Sequence, residues 1–385
     1  MYTKRVLIII ICSLLFFKTN AQVERPATEA DIKSLELFTA GQWKELMSYA
    51  KEKISSGIDF PLLRMRGGYA AFMLKKYSFS LQQYQKVWNA DTTNSTALYY
   101  IYLNNLYLNN SIAAKFYAQK LPEETKETEQ IKGTKLSGLQ MEFSQKMPDD
   151  TARRNAQYAR LGVTVDLGYR FQLQTSVAYY TLLVNTMAPN GRVTYPRLHQ
   201  PEYYAKLTYA VNGKLSLLGA YHFVSDIFPN LTLNTNIFFG GIKYSTPYIN
   251  LQADASTGNF AVNYSQYDGI ITLYPLGNLN VYSISRVNFG SQTNFTQVLG
   301  AKLAKSTWLE GNLTTGRADY IFDNDALYVK NDQDPVLFRC GGSVYTILSK
   351  KMMLTLNYIF EQKEFNIRKT NFYQHSINGG LSWKF

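Results

Sequence analysis

The chain has 385 residues, of which 46% are hydrophobic and 15% aromatic, and its formal net charge is +12. This length is enough for two domains. No cluster of Lys and Arg with interleaved aromatic residues occurs, which argues against a nucleic-acid site. The positive charge suits either anionic lipopolysaccharide or an acidic polymer, or it is a general property of the surface.

Residues 1–21 are typical of a secretory signal peptide. Lys4 and Arg5 form its basic start, and the apolar core that follows, 6–17, is too short to span a bilayer as a helix. One of the two cysteines lies in this leader, so Cys340 is left alone and an internal disulfide of the mature chain is excluded. No later run of eighteen apolar residues predicts a transmembrane helix.

Residues 22–121 have a helical pattern that repeats with a period of about 34 residues. The triplets Gly41-Gln42-Trp43, Lys75-Lys76-Tyr77 and Asn109-Asn110-Ser111 align where one helix is expected to turn into the next. Gly68 falls where the first helix of a repeat needs a small residue. The region resembles tetratricopeptide repeats, in which each helix pair buries its face on the next. An unrelated helical bundle is the alternative.

Five aromatic residues on the first helices of these repeats are candidates for a concave binding surface. They could bind a peptide or a sugar, or they could instead form the core between repeats. The five are Tyr69, Phe72, Tyr99, Tyr100 and Tyr102.

Residues 122–154 are expected to form a capping helix and a linker. A charged helical pattern covers 123–135 and continues over 136–147, and Pro148-Asp149-Asp150 ends it.

Residues 155–385 have period-two hydrophobic alternation, which predicts strands of about ten residues, the length that a tilted strand needs to cross a bilayer. Leu161, Val163 and Val165 alternate with Gly162 and Thr164, for example. Short turns alternate with longer polar connections, as in outer-membrane barrels, whose short turns lie in the periplasm. We therefore predict an antiparallel transmembrane β-barrel in the bacterial outer membrane, with the helical domain in the periplasm.

The strand number has to be even if the chain enters and leaves the barrel on one side. Twelve strands are preferred and fourteen are possible. The uncertainty is partly local, because residues 161–183 keep one parity throughout and fit either one long strand or a hairpin.

Charged residues on the polar faces of the strands are predicted to point into the barrel. Opposed Arg and Glu rows either plug a small barrel with ion pairs or line a polar route, and a twelve-stranded lumen is nearly filled by side chains. A lumen that is nearly filled in this way argues against a wide general porin. The candidate lumen residues are Lys206, His222, Arg286, Glu310, Arg339 and Glu361.

The sequence offers little for catalysis, and no catalytic residue is assigned. His222 is close to Ser225 and Asp226, but His222 and Ser225 have opposite parity in an unbroken strand and would face apart. A barrel enzyme acting on lipid or envelope glycan remains the alternative.

No cofactor or metal is predicted. The acidic stretch 323–325, with Asp332 and Asp334, could hold calcium through carboxylate oxygens. It lacks the glycine of a calcium loop, so a solvated surface loop is the expected structure. No phosphate loop, zinc spacing or dinucleotide fingerprint is present.

The last strand, 371–385, places Leu381, Trp383 and Phe385 on one face. A strand with this alternation and a terminal Phe resembles the closing strand of bacterial outer-membrane barrels. The resemblance implies that the barrel-assembly machinery reads this segment as its signal.

The order of signal, helical repeats and barrel resembles the YaiO-like outer-membrane proteins, and the phrases Tyr274–Leu279 and Trp308–Glu310 are similar to theirs. The resemblance implies a non-enzymatic envelope protein with outer-membrane lipid around its barrel. Its repeats would bind a periplasmic protein or polysaccharide, in envelope assembly or in polysaccharide or solute transport. A narrow solute channel is a further alternative.

Changing Trp383 and Phe385 together to Ser is expected to lower the amount of assembled barrel in cells. Refolding of the same variant from urea into detergent should change much less, because partial burial of one rim aromatic contributes at most about 3 kcal/mol. The two measurements are heat-modifiable protein in the membrane fraction and refolding yield. Equal losses in both would mean that these residues act through stability and are not a sorting signal.

Overall fold

The computed structural model describes residues 26–150, 153–184, 186–187, 193–194, 196–260, 263–330, 334–365 and 369–385. The predicted signal peptide, 1–21, lies outside these residues. No helix among them is long and apolar enough to cross a membrane.

Helices occupy the first part of the described chain. The chain divides into two compact units, Met1–Asn110 and Ser111–Phe385. The helices are α1 (26–39), α2 (Trp43–Ser55), α3 (Pro61–Met73), α4 (Tyr77–Ala90), α5 (Ser95–Tyr107), α6 (Ser111–Ala118) and α7 (Glu123–Thr128).

The predicted turn positions of the helical repeat are turns in the structure. Gly41, Lys75 and Asn109 each follow a helix and have left-handed φ values of 67°, 58° and 57°. After each of them, the next backbone N–H donates to a carbonyl five residues earlier, the bond that ends a helix in a Schellman motif. The equal spacing of these turns makes α2, α4 and α6 begin 34 residues apart.

Close packing in the first unit depends on two glycines of α3. A Cβ on Gly67 would come within 2.6 Å of the Ala50 Cβ, and one on Gly68 would come within 3.0 Å of the Tyr84 ring. Tyr84 is almost fully buried, so its ring cannot move aside freely. The small residue expected at Gly68 is therefore required by helix–helix contact.

The second unit contains a closed antiparallel barrel of fourteen strands. The strands are β1 (Lys135–Pro148), β2 (Arg153–Leu167), β3 (Phe171–Val184), β4 (Thr186–Met187), β5 (Val193–Thr194), β6 (Arg197–Ala210), β7 (Leu215–Phe228), β8 (Leu231–Ser245), β9 (Ile249–Asn259), β10 (Asn263–Leu273), β11 (Val281–Phe289), β12 (Thr293–Ala304), β13 (Thr307–Ala318), β14 (Ile321–Asp323), β15 (Tyr328–Lys330), β16 (Val336–Ile347), β17 (Met352–Glu364) and β18 (Asn371–Lys384). Their order around the barrel is β1-β18-β17-β16-β13-β12-β11-β10-β9-β8-β7-β6-β3-β2, and two short hairpins, β4–β5 and β14–β15, form separate two-stranded sheets that are not part of the barrel wall.

The preferred count of twelve strands is wrong, and the alternative of fourteen is correct. The stretch 161–183 is a hairpin of β2 and β3, and its three-residue turn, with Gly168 at φ 71°, keeps the parity on both sides. The expected helix over 136–147 is also wrong, because this segment is β1 and it pairs with β18 to close the barrel. Its charged residues, Glu142 and Lys146, are both on the lumen-facing side of the strand. A helical interpretation of the same residues does not predict this position.

The outer face of the barrel is apolar. Large hydrophobic side chains there are exposed over about half of their surface, among them Phe238 (57%), Leu299 (61%) and Leu356 (53%). Polar residues occupy the inner positions of the same strands, such as Gln266 and Ser343, and are buried. This is the period-two pattern of a barrel surrounded by lipid.

Helix α6 packs on the rim where β1 begins and β18 ends, here called the terminal rim. The Lys115 ammonium forms an ion pair with Asp166, which is fully buried and also accepts a hydrogen bond of 2.9 Å from the Ser137 hydroxyl. Burial lowers the pKa of Lys115, and the Asp166 charge opposes that change. Tyr117 lies so close to the β6–β7 turn that a Cβ on Gly213 would collide with its ring.

Candidate functional site

The loop between β13 and β16 folds into the barrel and forms the candidate site. We call residues 319–330 the inner hairpin; its two short strands are β14 and β15. The expected solvated surface loop at 323–325 is therefore wrong. At its tip, Asn324, Asp325 and Ala326 all have left-handed φ values, 53°, 60° and 60°. This conformation is unfavourable for Ala and persists only where surrounding contacts impose it.

One side of the inner hairpin packs against the wall formed by β7 to β10. The contact is an apolar cluster in which Phe322 and Ala326 of the hairpin are 1% and 2% exposed. An apolar core inside a barrel holds the hairpin by the same burial that stabilises a soluble domain. The wall residues of the cluster are Val224, Ile237, Phe239 and Tyr264, with Leu218, Ala220 and Phe260 at its edge.

Gln266 of β10 binds the backbone of the inner hairpin directly. Its side-chain amide donates to the Phe322 carbonyl at 2.8 Å and accepts from the Phe322 N–H at 3.0 Å. Tyr264 donates from its hydroxyl to the Tyr320 carbonyl at 3.2 Å. These bonds satisfy backbone groups of β14 that would otherwise be buried without partners.

The tip carboxylate, Asp325, is held by two groups of the wall. Lys206 donates from Nζ to Oδ2 at 2.9 Å, and Gln252 donates from Nε2 to Oδ1 at 2.8 Å. The Tyr204 hydroxyl donates to the backbone carbonyl of the same residue at 2.9 Å. Burial raises the pKa of Asp325, but the Lys206 and Lys243 charges and the hydrogen bonds from Lys206 and Gln252 together outweigh burial, and the net pKa is lowered.

His222 contacts the tip as well. Its Nδ1–H donates to the Ala326 carbonyl at 2.8 Å, and its Nε2 lies 3.2 Å from a carboxylate oxygen of Glu202. Ser225 bonds to Asn234 instead, at 2.8 Å. Nδ1 of His222 thus binds the inner hairpin, Nε2 faces the wall residue Glu202, and Ser225 has a different partner.

Asp323 forms the second charged contact of the inner hairpin. Arg286 donates to its Oδ1 in a close ion pair, and Nη1 of Arg339 lies 3.6 Å from its Oδ2. Burial raises the pKa of Asp323, but the charges of Arg286 and Arg339 outweigh burial and hold the pKa at about 2, below the ordinary 3.8. The stabilisation from this carboxylate is therefore complete above pH 3.8 and is lost as the pH falls toward 2.

Strand β15 contacts carboxylates of the barrel wall. The Tyr328 hydroxyl donates to Glu142 at 2.6 Å, and the same carboxylate accepts from Nε of Arg160 at 3.0 Å. Lys330 forms an ion pair with Glu361. The hairpin therefore presents carboxylates to basic wall residues and an ammonium to an acidic one.

All six lumen candidates have their side chains inside the barrel. Five of them surround the inner hairpin: Lys206, His222, Arg286, Arg339 and Glu361. Glu310 is bound elsewhere, by the hydroxyls of Tyr282 at 2.8 Å and Tyr345 at 3.3 Å.

Four important wall residues were missed at the level of sequence. Glu142 lies in the segment that reads as a helix, so its position in the lumen was hidden. Gln252 and Gln266 carry no charge that would mark them as lumen residues. Arg160 stands on the polar face of β2 and could have been found from parity alone.

No group of three or more His, Cys, Asp or Glu residues that could hold a metal ion occurs in the described part of the chain. Asp323 and Asp325 bind Arg and Lys side chains. Asp334 bonds to Arg153 at 2.6 Å, and Asp332 lies outside the described residues. The calcium alternative therefore has no support from this geometry.

In the first unit, the five aromatic candidates are half-buried and belong to a ring network. Tyr100 stacks on buried Tyr84 with centroids 4.7 Å apart, and Tyr69 meets Tyr100 edge-on at 5.7 Å. Phe72 contacts Tyr100 at 5.3 Å, and Tyr99 contacts Tyr102 at 6.4 Å. The rings pack between helices and also keep part of their surface exposed.

Several solved outer-membrane barrels are similar to the chain in structure. Omp33 of Acinetobacter baumannii is 8% identical, with 66% of this chain and 100% of that chain covered and a TM-score of 0.39. The translocator domain of the autotransporter NalP from Neisseria meningitidis is 10% identical, with 73% and 99% covered and a TM-score of 0.33. A structure described as a bacterial polysaccharide outer membrane secretin is 6% identical, with 65% and 98% covered and a TM-score of 0.39.

With TM-scores below 0.5, these likenesses say nothing about what this chain binds or transports. No protein-family model matches the sequence, and no curated protein matches it.

Asp323→Asn is expected to release the inner hairpin part of the time at neutral pH, because two guanidinium groups lose an ionised acceptor. Hydrogen bonds to charged groups contribute about 1.5–3 kcal/mol, so opening should rise roughly tenfold to a hundredfold. The measurement is the labelling rate of a thiol at the buried tip position, in an Ala326→Cys, Cys340→Ser background.

Asp319→Asn is the matched control, because it makes the same chemical change at an exposed position of the same hairpin, beside Arg317. Equal labelling in the two variants would show that the Asp323 ion pairs do not hold the inner hairpin.

Proposed function

We propose that the chain is a non-enzymatic β-barrel protein of the bacterial outer membrane. The support is the closed fourteen-stranded barrel with an apolar outer face. A closed barrel leaves no strand edge unpaired, which is the condition for crossing a bilayer with strands. Aromatic pairs near the rims, such as Phe171 with Tyr209, fit the aromatic girdles of such barrels.

Within this barrel, we propose a narrow solute channel that the inner hairpin gates. The observation that carries the proposal is that the hairpin lies across the lumen. It contacts wall residues of strands on several sides of the barrel, among them β1, β2, β6, β11 and β17. Its charged contacts can exchange with water or solute, unlike backbone pairing in the wall. Ion pairs that can dissociate and a loop that can move are what a gate requires.

The alternative of a barrel enzyme has less support. His222 is the candidate base, and its two nitrogens face Ala326 and Glu202. A general base needs a nucleophile or substrate proton within reach of one free nitrogen. The geometry instead favours a role for His222 in holding the tip of the inner hairpin.

The helical unit supports a second function, the binding of a periplasmic protein or polymer. The specific observation is a set of exposed apolar side chains on α3 and α5, where Tyr107 is 51% and Met73 45% exposed beside the ring of Phe72. Such a patch marks an interaction surface. The 34-residue spacing of helix starts supports the tetratricopeptide-like assignment, and the order of domains supports the YaiO-like one.

To test the gate, the segment 321–328 is replaced by a short Gly-Ser linker and the protein is studied in planar bilayers. We expect small, infrequent openings for the unaltered protein and a steady, several-fold larger conductance for the variant. The control replaces the turn Ser349-Lys350 on the terminal rim with Asn-Gly. If the linker variant assembles as a heat-modifiable barrel and still conducts no more than the control, the gate proposal is wrong.

To test partner binding, Tyr107→Ser is compared with Lys53→Ser, which changes a partly exposed residue on another helix of the same unit. Chemical crosslinking in whole cells of the full chain should give a discrete adduct that Tyr107→Ser weakens at least fivefold and Lys53→Ser preserves. The expected cause is loss of apolar contact area at a central aromatic residue. An adduct that survives in both variants, at equal yield, would remove this surface from consideration.

A further inference from the structure

The wall around the tip of the inner hairpin has the chemistry of a ligand site. Asp325 brings one carboxylate to a wall that offers an ammonium, Lys206, to one oxygen and an amide, Gln252, to the other. Two donors that approach the two oxygens separately are complementary to a carboxylate in particular. The wall keeps this arrangement through its own strands, since Lys206 lies on β6 and Gln252 on β9.

A second ammonium lies on the neighbouring strand. Lys243 of β8 is the direct cross-strand partner of Gln252. Its charge interacts with those of Asp325 and Lys206. Among the described residues, its ammonium has neither an ion-pair partner nor a hydrogen-bond acceptor. The wall thus supplies two cations where the inner hairpin supplies one anion.

A further carboxylate nearby forms no ion pair with either ammonium among the described residues. Gln252 also donates to Asp254 at 2.8 Å, so one further carboxylate stands on the β9 side. Asp254 is paired across the strand with Asp268, and its charge interacts with those of Asp268, Asp325 and Arg286. No ion pair joins it to Lys206 or Lys243 in the described chain.

The pair is also open to water. The side chains of Lys206 and Asp325 are 17% and 15% exposed, so a small solute can reach the contact without disassembling the wall. The apolar cluster around Phe322, by contrast, is closed to water. Exchange at the tip is therefore much easier than exchange at the base of the inner hairpin.

We propose that Lys206, Lys243 and Gln252 form a binding site for the carboxylate of a small solute, and that Asp325 occupies this site as an internal ligand. A solute carboxylate takes over the Lys206 and Gln252 contacts and also engages Lys243, which Asp325 leaves unpaired. The tip then loses its charged contact and the hairpin is freed. This last consequence rests on the proposed channel function, whereas the binding site itself does not.

Competition with a tethered carboxylate sets the expected affinity. A group held by a short segment competes at an effective concentration in the millimolar range or above, so an external carboxylate binds weakly until the internal one is neutralised. Asp325→Asn should therefore raise the affinity for acetate at least tenfold. Asp325→Asn with Lys243→Gln should return it to the level of the unaltered protein or below.

The experiment uses the full chain purified in detergent, titrated calorimetrically with acetate, with inorganic phosphate and glucose as comparison probes. Lys302→Gln in the Asp325→Asn background is the matched control, since Lys302 is a wall cation that lies over the Trp308 ring, away from the tip. Lys243→Arg, which keeps the charge, should bind acetate within a few-fold of Asp325→Asn alone. Heat-modifiable mobility establishes that each variant is folded.

Three results would overturn the proposal. Asp325→Asn binds acetate no more tightly than the unaltered protein; or Lys302→Gln weakens binding as much as Lys243→Gln; or phosphate binds more tightly than acetate with the same dependence on Lys243. If Asp325→Asn does not fold, the comparison of Lys243→Arg with Lys243→Gln in the unaltered background decides the same question. Bilayer conductance is recorded separately, so that acetate binding without opening refutes the gate and leaves the site intact.

Discussion

The balance of charge between the inner hairpin and the barrel wall is the constraint on which the closed lumen depends. A buried carboxylate without a counter-charge costs several kcal/mol, so a hairpin with Asp323 and Asp325 could not enter an apolar or acidic interior. The wall provides Arg286 and Lys206 at the two positions where these carboxylates arrive. In the reverse arrangement, the ammonium of Lys330 on the hairpin pairs with the carboxylate of Glu361 on the wall. In each pair, the charge on the hairpin is stable in the lumen only because the opposite charge on the wall is present.

The number of strands explains why a hairpin is needed inside the barrel. Barrel diameter grows with strand number, and small barrels are filled by their own side chains. With fourteen strands the wall side chains leave room, and the inner hairpin occupies part of it with an apolar side and a charged side. Phe322 and Ala326 contact the apolar wall, and Asp323 contacts the basic one. The hairpin is thus matched in shape and in polarity to the interior that encloses it.

The two kinds of contact differ in how easily they are broken. Gln266 binds backbone groups of the buried β14, where water has little access. The contact between Asp325 and Lys206 is partly exposed, and it depends on a tip in which three consecutive residues have left-handed φ. Such a conformation favours release once its stabilising contacts are lost. The tip is therefore the part of the inner hairpin most open to control by solute or pH.

The sequence by itself determined the class of the fold and the direction in which most side chains point. Period-two alternation depends only on the geometry of an extended chain, so it assigned Lys206, His222, Arg286, Glu310, Arg339 and Glu361 to the polar faces of their strands. The repeat of helix ends was likewise readable, because the left-handed turns at Gly41, Lys75 and Asn109 follow local rules.

Only the tertiary structure decided the strand number, the path of residues 319–330 and the partner of each lumen charge. The segment 136–147 carries its charges at spacings that fit a helix as well as a strand, and its pairing with β18 is what selects the strand. The acidic loop around Asp323 is as polar as a solvated loop, and its burial is favourable only because Arg286, Arg339 and Lys206 converge on it from three different strands. Convergence of residues far apart in sequence is a property of the closed barrel, and no local pattern contains it.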